Sequence, residues 1–137
     1  MSQLKQLNLK EYSKFVEDIT AEDSNDTSAY IRRLQHLADN GLNIALLDTA
    51  ASGLGSEGGE VMEIVKKIKY HGKDFDEDTR FHLKRELGDV IWYWINACRA
   101  LDYDPMEVIA ENVSKLEKRY PGGFSAFLSE NRADGDI

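Results

Sequence analysis

The stretch LGSEGGEVMEIVKKIKY, residues 54–70, decides the class of fold that this chain adopts. Its apolar residues recur every three or four positions, which is the spacing of one face of an α-helix. At about 100° per residue, this face comprises Leu54, Val61, Val65 and Ile68. Glu57 falls inside the same sector and Glu60 lies at its edge, so the predicted helix directs two carboxylates toward the interior.

A second stretch, KRELGDVIWYW at residues 84–94, repeats this arrangement on another helix. The same projection predicts a buried face made of Leu83, Leu87, Val90, Trp94 and Leu101. Glu86 and Asp89 occupy the flank of that face and are again three residues apart. Two helices therefore each present a carboxylate pair, at the same spacing, to a shared core.

The rest of the chain also carries helical patterns and helix boundaries. We predict helices over residues 9–19, about 30–46 with an interruption near Gly41, 57–70, 76–101 and 105–119. Residues 22–27 are predicted to be a loop, and residues 49–56 a loop or the poorly ordered start of the third helix. Asp104 and Pro105, an N-cap followed by proline at the first helical position, mark the clearest boundary. The sequence thus predicts an all-α bundle, with a single domain over 1–128 and a polar tail over 129–137.

Composition limits the classes of partner. The chain has 137 residues and a formal charge of -8, whereas binding to nucleic acid polymers or anionic membranes needs a basic surface. No apolar run approaches the roughly 18 residues of a membrane span, and the N-terminus lacks a secretory signal, so we expect a cytoplasmic protein. The single cysteine, Cys98, lies in an apolar helical pattern typical of a buried thiol.

Four carboxylates that converge in an apolar setting would repel one another unless cations neutralised them. Magnesium prefers such oxygen ligands and leaves positions open for water and phosphate, and manganese is its natural substitute. One alternative is that each pair is simply solvated surface with lysine or arginine partners. Another is a di-iron bundle, which the absence of Glu-x-x-His pairs disfavours.

Two further sets of polar residues need interpretation. Glu63 has Lys66 and Lys67 at the i+3 and i+4 positions, which is a sufficient surface explanation for it. On the last long helix, Asn112, Lys115 and Arg119 form one stripe whose donors suit phosphate oxygens. A stripe of this kind is more often a solvated face, so its meaning depends on whether it faces the carboxylates.

Together these motifs resemble the MazG family of all-helical nucleotide pyrophosphohydrolases. The family signature E-x-x-E, a spacer and E-x-x-D corresponds to Glu57, Glu60, Glu86 and Asp89, and the later N-x-x-K-x-x-x-R-Y-P corresponds to Asn112, Lys115, Arg119, Tyr120 and Pro121. The resemblance covers residues 42–124, and short phage-encoded members look closest. Many relatives carry glutamate where this chain has Ser56, which puts an accessory acidic role at that position in doubt.

The resemblance implies a magnesium-dependent nucleoside triphosphate pyrophosphohydrolase with a MazG-like bundle. Glu57, Glu60, Glu86 and Asp89 would then be metal ligands and catalytic residues, and Asn112, Lys115 and Arg119 would contact the substrate's phosphates. Family members assemble as dimers or dimers of dimers, and Trp92 and Ile95, which lie off the main apolar face, also suggest a second buried surface.

The expected reaction is attack of water on the α-phosphorus with release of pyrophosphate, and Glu57 or Glu60 accepts the proton. Phage-like relatives suggest deoxynucleotides such as dGTP or dCTP, and the host cytoplasm as the location. Tyr93 and Asn96 share the flank of Asp89 and are therefore candidate base or sugar contacts, although a buried tyrosine and a helix-surface asparagine are the more common roles. The alternative from another class is a noncatalytic helical interaction module that binds a protein partner through the region around Trp92 and Trp94.

Overall fold

The computed structural model describes residues 8–132, and helices account for 79% of them. The helices are α1 (Leu9–Ile19), α2 (Glu22–Asn25), α3 (Thr27–Asp39), α4 (Ile44–Tyr70), α5 (Glu77–Ala100), α6 (Pro105–Arg119) and α7 (Ala126–Glu130). Within this described range there is no β-strand, only an isolated bridge between Pro121 and Gly123. The prediction of an all-α fold is confirmed.

The described residues form two compact units on either side of a boundary between Ile44 and Ala45. The first unit contains α1, α2 and α3, and the second contains nearly all of α4 together with α5, α6 and α7. The single domain over 1–128 and the tail over 129–137 stay a prediction, and α7 spans the boundary between them.

In the first unit, α1 begins and ends at the predicted residues, with the Asn8 side chain accepting a hydrogen bond from the Lys10 amide. The predicted loop at 22–27 is wrong, because it contains the short helix α2 and the start of α3. Asp26 explains this difference, since its carboxylate accepts from the amides of Ser28 and Ala29 and so starts α3 earlier than the apolar pattern does.

The predicted interruption near Gly41 is confirmed, because α3 ends at Asp39 and Gly41 adopts a left-handed φ of 88°. Residues 44–46 consequently belong to α4 and not to the preceding helix. Residues 49–56 belong to α4, which runs unbroken for 27 residues from Ile44, so the loop alternative is wrong and the helix begins earlier than predicted. Burial of Ala50 and Gly53 supplies the packing that the weak helix propensity of this segment lacks.

Capping side chains set the starts of the next two helices. Helix α5 begins after Asp76, whose carboxylate accepts from the Thr79 amide, and α6 begins after Asp104, whose carboxylate accepts from the Met106 amide. Four residues, 101–104, connect α5 to α6, so α6 turns back alongside the second half of α5. A cavity of about 670 Å³ opens between these two helices, lined by residues that include Trp94, Cys98 and Val108.

Several residues of the predicted buried faces lie at the surface of the single chain. On α4, Ile64 is buried whereas Val65 is exposed, and on α5 the side chains of Leu87 and Leu101 are exposed. Trp92 and Ile95 are exposed as well. The apolar faces of α4 and α5 are therefore broader than their packing within one chain covers. None of the described helices is both long and apolar enough to cross a membrane.

Candidate metal centre

A close contact between α4 and α5 sets the geometry of the candidate site. A Cβ atom added to Gly53 would lie only 2.1 Å from Cδ1 of Tyr93, so the Tyr93 ring rests directly on the backbone of α4. Gly53 lies one turn before Glu57, and Tyr93 lies one turn after Asp89. The contact therefore brings the two acidic segments of the sequence against each other.

Three of the four predicted acids meet beside this contact. Glu57, Glu86 and Asp89 each offer one carboxylate oxygen, and these three atoms lie within 4.8 Å of one another. Glu57 and Glu86 are half-buried and Asp89 is exposed, so the group, which we call the acidic cluster, opens toward solvent. The side chain of Glu60 is exposed and lies outside this close group.

The acidic cluster raises the proton affinity of one of its members. The pKa of Glu57 lies above its ordinary value, first because burial disfavours the charged form. The negative charges of Asp89, Glu86 and Glu60 raise this pKa further, and so does a side-chain hydrogen bond with Glu86. Charge repulsion is thus built into the site, and a bound cation would relieve it.

A hard divalent cation fits this set of donors. All three side chains of the acidic cluster offer carboxylate oxygens, the ligands that magnesium and manganese prefer. The opening of the acidic cluster toward solvent at Asp89 leaves space for water or phosphate oxygens to complete the coordination. Within the described residues the cluster includes neither histidine nor cysteine, which suits these metals better than zinc or copper.

One interaction beside the acidic cluster was missed by the sequence interpretation. Nε2 of His82 lies 2.9 Å from Oε1 of Glu86, one helical turn away on α5. The i, i+4 spacing of the two residues could have indicated the pair, but it does not indicate that Glu86 also belongs to a cluster with α4.

Glu63 has the surface role that the sequence indicates. Its carboxylate forms ion pairs with Lys66 and, at 3.3 Å, with Lys67. Hydrogen bonds from these two lysines lower the pKa of Glu63. Glu63 is thereby a useful reference acid, because it lies on the same helix as Glu57 but outside the acidic cluster.

The predicted phosphate-binding residues lie along α6. Asn112 is exposed, while Lys115 and Arg119 are half-buried, and the Arg119 guanidinium lies 6.0 Å from the centre of the Tyr120 ring. The close group of acids includes no residue of α6. Contact of Asn112, Lys115 and Arg119 with a substrate's phosphates stays a prediction.

Tyr93 and Asn96, the candidate base or sugar contacts, have different environments. The half-buried Tyr93 ring lies over Gly53, beside the acidic cluster. Asn96 is buried, and its amide group donates to the Trp92 carbonyl oxygen at 3.2 Å and accepts from Nη1 of Arg99 at 2.8 Å. Of the two side chains, Tyr93 is the better placed to meet a ligand held at the cluster.

The raised pKa of Glu57 predicts how the stability of the metal-free protein depends on pH. Between the unfolded-state value of 4.5 and the higher folded-state pKa, the folded chain binds more protons. The contribution of Glu57 to the free energy of unfolding therefore falls as pH rises through this window. Urea unfolding in EDTA at successive pH values should show this loss of unfolding free energy in the wild type. The variant Glu57→Gln, which cannot titrate at this position, should not show it.

The difference between the two proteins is the informative quantity, because Glu63 and Asp76 have lowered pKa values and act in the opposite direction. Their contributions are lost as pH falls below the unfolded-state pKa and are common to both proteins. A difference that does not change with pH would contradict the environment described for Glu57.

The part of the chain that carries this site is similar to known proteins. Residues 47–124, more than half of the chain, match the family model of the MazG nucleotide pyrophosphohydrolase domain. The Gene 37 protein of Mycobacterium phage L5 is 35% identical over 88 residues, which are 63% of this chain and 76% of that protein. No solved structure matches the chain. The matched span contains all three residues of the acidic cluster and the whole of α6.

Proposed function

Because the chain belongs to the MazG nucleotide pyrophosphohydrolase family, we propose that it hydrolyses nucleoside triphosphates to monophosphates and pyrophosphate. The observation that carries this proposal is the acidic cluster, which brings Glu57 of α4 to Glu86 and Asp89 of α5 inside the matched span. Magnesium is the proposed cofactor, and manganese can replace it. Deoxynucleotides such as dGTP or dCTP are the proposed substrates, and the cytoplasm, or host cytoplasm for a phage protein, is the proposed location.

Each part of the site has a distinct proposed role. Glu57, Glu86 and Asp89 would hold the metal ion, and Glu60 completes the set from its exposed position one turn along α4. When bound, magnesium would neutralise phosphate charge and make a water molecule more acidic. Glu57 or Glu60 would accept the proton of the water that attacks the α-phosphorus.

Residues outside the acidic cluster would bind and orient the nucleotide. Asn112, Lys115 and Arg119 offer amide, ammonium and guanidinium donors for phosphate oxygens that carry negative charge. Tyr93, beside the acidic cluster, offers a ring for stacking on a base or packing on a sugar, and Asn96 on the same helix is the second candidate. These donors hold the substrate in place while the carboxylates act at the α-phosphorus.

We also include self-association in the proposal, as a homodimer or homotetramer. Trp92, Ile95 and Leu87 expose apolar surface on α5, which supports burial against a second copy. A surface of this kind on the helix that carries Glu86 and Asp89 would couple assembly to the shape of the site.

Product analysis in ¹⁸O-labelled water tests the reaction directly. The purified chain is incubated with a panel of ribo- and deoxynucleoside triphosphates in magnesium or in EDTA. We expect magnesium-dependent release of monophosphate and pyrophosphate, with the ¹⁸O label in the monophosphate because water attacks the α-phosphorus. The ranking of the panel gives the base and sugar preference.

Other outcomes of this experiment have defined meanings. Diphosphate and orthophosphate as products would place cleavage at the wrong bond, and label in the pyrophosphate would place attack at the wrong phosphorus. Absence of turnover together with absence of magnesium-dependent nucleotide binding in calorimetry would favour the noncatalytic interaction module.

A further inference from the structure

His82 and Glu86 form a polar contact that the reaction as proposed does not use. Nε2 of His82 is 2.9 Å from Oε1 of Glu86, and both residues lie on α5 at i and i+4. The His82 side chain is 54% exposed, whereas that of Glu86 is only 14% exposed. The contact therefore reaches from the surface into the half-buried part of the acidic cluster.

Glu86 is held from two sides. Nε2 of His82 lies 2.9 Å from its Oε1 on one side, and on the other side a Glu86 carboxylate oxygen lies within 4.8 Å of a Glu57 carboxylate oxygen across the gap between α5 and α4. A free glutamate side chain rotates about three bonds, and fixing it when a ligand binds costs conformational entropy. A contact with His82 that restricts Glu86 before a cation arrives would lower that cost.

His82 is placed to orient a ligand and not to be one. The group of side chains whose ligand atoms lie within 4.8 Å of one another comprises Glu57, Glu86 and Asp89, and His82 is not a member. A hydrogen bond from a neighbouring residue to a ligating carboxylate is a recurrent way of fixing the direction of the ligand's lone pairs.

We propose that His82 is a positioning residue for the metal site, acting through the polar contact of its Nε2 with Oε1 of Glu86. The inference rests on the proposed function, because it requires that the acidic cluster binds a divalent cation. The competing interpretation is an ordinary helix-surface pair, which contributes little to stability and nothing to metal binding.

Manganese titration of the full chain without nucleotide separates these interpretations, with binding followed by electron paramagnetic resonance at a single pH. His82→Leu removes the hydrogen-bond donor, and His82→Asn keeps an amide that is too short to reach Glu86. His82→Gln places its amide nitrogen close to the position of Nε2. Lys84→Ala is the matched control, since Lys84 is an exposed basic residue two positions after His82 on α5.

The leucine and asparagine variants should bind manganese about 10-fold or more weakly than the wild type, as is typical when a partner of a metal ligand is lost. His82→Gln and Lys84→Ala should stay within about 3-fold of the wild type, well short of that loss. A surface pair would not restore manganese affinity in His82→Gln. If His82→Leu impairs folding, His82→Asn still tests the proposal.

Equal affinity in wild type, His82→Asn and His82→Gln would overturn the role of His82 while leaving the metal site in place. Tighter binding in His82→Leu or His82→Asn would also overturn it, because it would show that the histidine competes with the cation. Failure of the wild type to bind manganese would overturn the proposed metal site and this inference together.

Discussion

Glu86→Ala and Asp89→Ala are each expected to lower kcat/KM for triphosphate hydrolysis by at least about 100-fold, since losing a partner of a metal ligand already costs 10–100-fold. Both carboxylates belong to the acidic cluster on α5, and each would be a direct ligand of the catalytic cation. Glu57→Ala should have an effect of the same size from the α4 side of the cluster. The measurement is steady-state kinetics of pyrophosphate release over a range of magnesium concentrations.

Glu63→Ala is the control for this series, because it removes an α4 carboxylate that is paired with lysines and lies outside the acidic cluster. It should retain nearly full activity. Unfolding in EDTA provides a second control. Removing one of three mutually repelling acids should leave the metal-free fold at least as stable as the wild type. Full activity in any two of the three cluster variants would show that the acidic cluster is not the active site.

Gly53→Ala is expected to destabilise the protein and to reduce its activity. The added methyl group would lie 2.1 Å from the Tyr93 ring, so α4 and α5 must move apart or the ring must rotate. Forcing extra atoms into a packed contact costs about 1–3 kcal/mol, which exceeds the gain of about 1 kcal/mol from replacing glycine by alanine in a helix. Because the acidic cluster begins one turn away, displacement of the helices should also lower metal affinity.

Gly55→Ala is the matched control for that change. Gly55 lies two residues further along α4, and no atom comes within 4 Å of a Cβ placed there. Its replacement should stabilise the protein by about 0.5–1 kcal/mol. Urea unfolding in EDTA measures both variants, and Tyr93→Ala added to Gly53→Ala should recover part of the loss. Equal stabilisation by the two alanines would show that α4 and α5 do not meet at Gly53.

The parts of the fold that depend on local chemistry could be predicted from the sequence. Asp104 and Pro105 fix the start of α6 through capping and a restricted φ, and the structure places the boundary there. The E-x-x-E and E-x-x-D spacings likewise placed Glu57, Glu86 and Asp89 near apolar faces, and the structure brings these three together.

The features that could not be predicted depend on contacts between distant residues. Helix α4 continues through the glycine-rich segment 53–59, and Tyr93, some 40 residues later, packs on its first glycine, Gly53. Helical projection also placed Val65 in the interior, whereas Ile64 is buried and Val65 is exposed. It placed Glu60 at the edge of the apolar face, and the family resemblance gave it the same role as Glu57, whereas Glu60 lies outside the close group. A projection gives the direction of a side chain but not the position of the neighbouring helix.

The open space around Gly58 has a practical consequence. No atom lies within 4 Å of a Cβ at this position, and Gly58 directly follows Glu57 on an exposed part of α4. The only native thiol, on Cys98, is buried. A cysteine introduced at position 58 would therefore be the one accessible thiol on the chain, which allows a thiol-reactive spin label or fluorophore to be placed beside the acidic cluster without first removing Cys98.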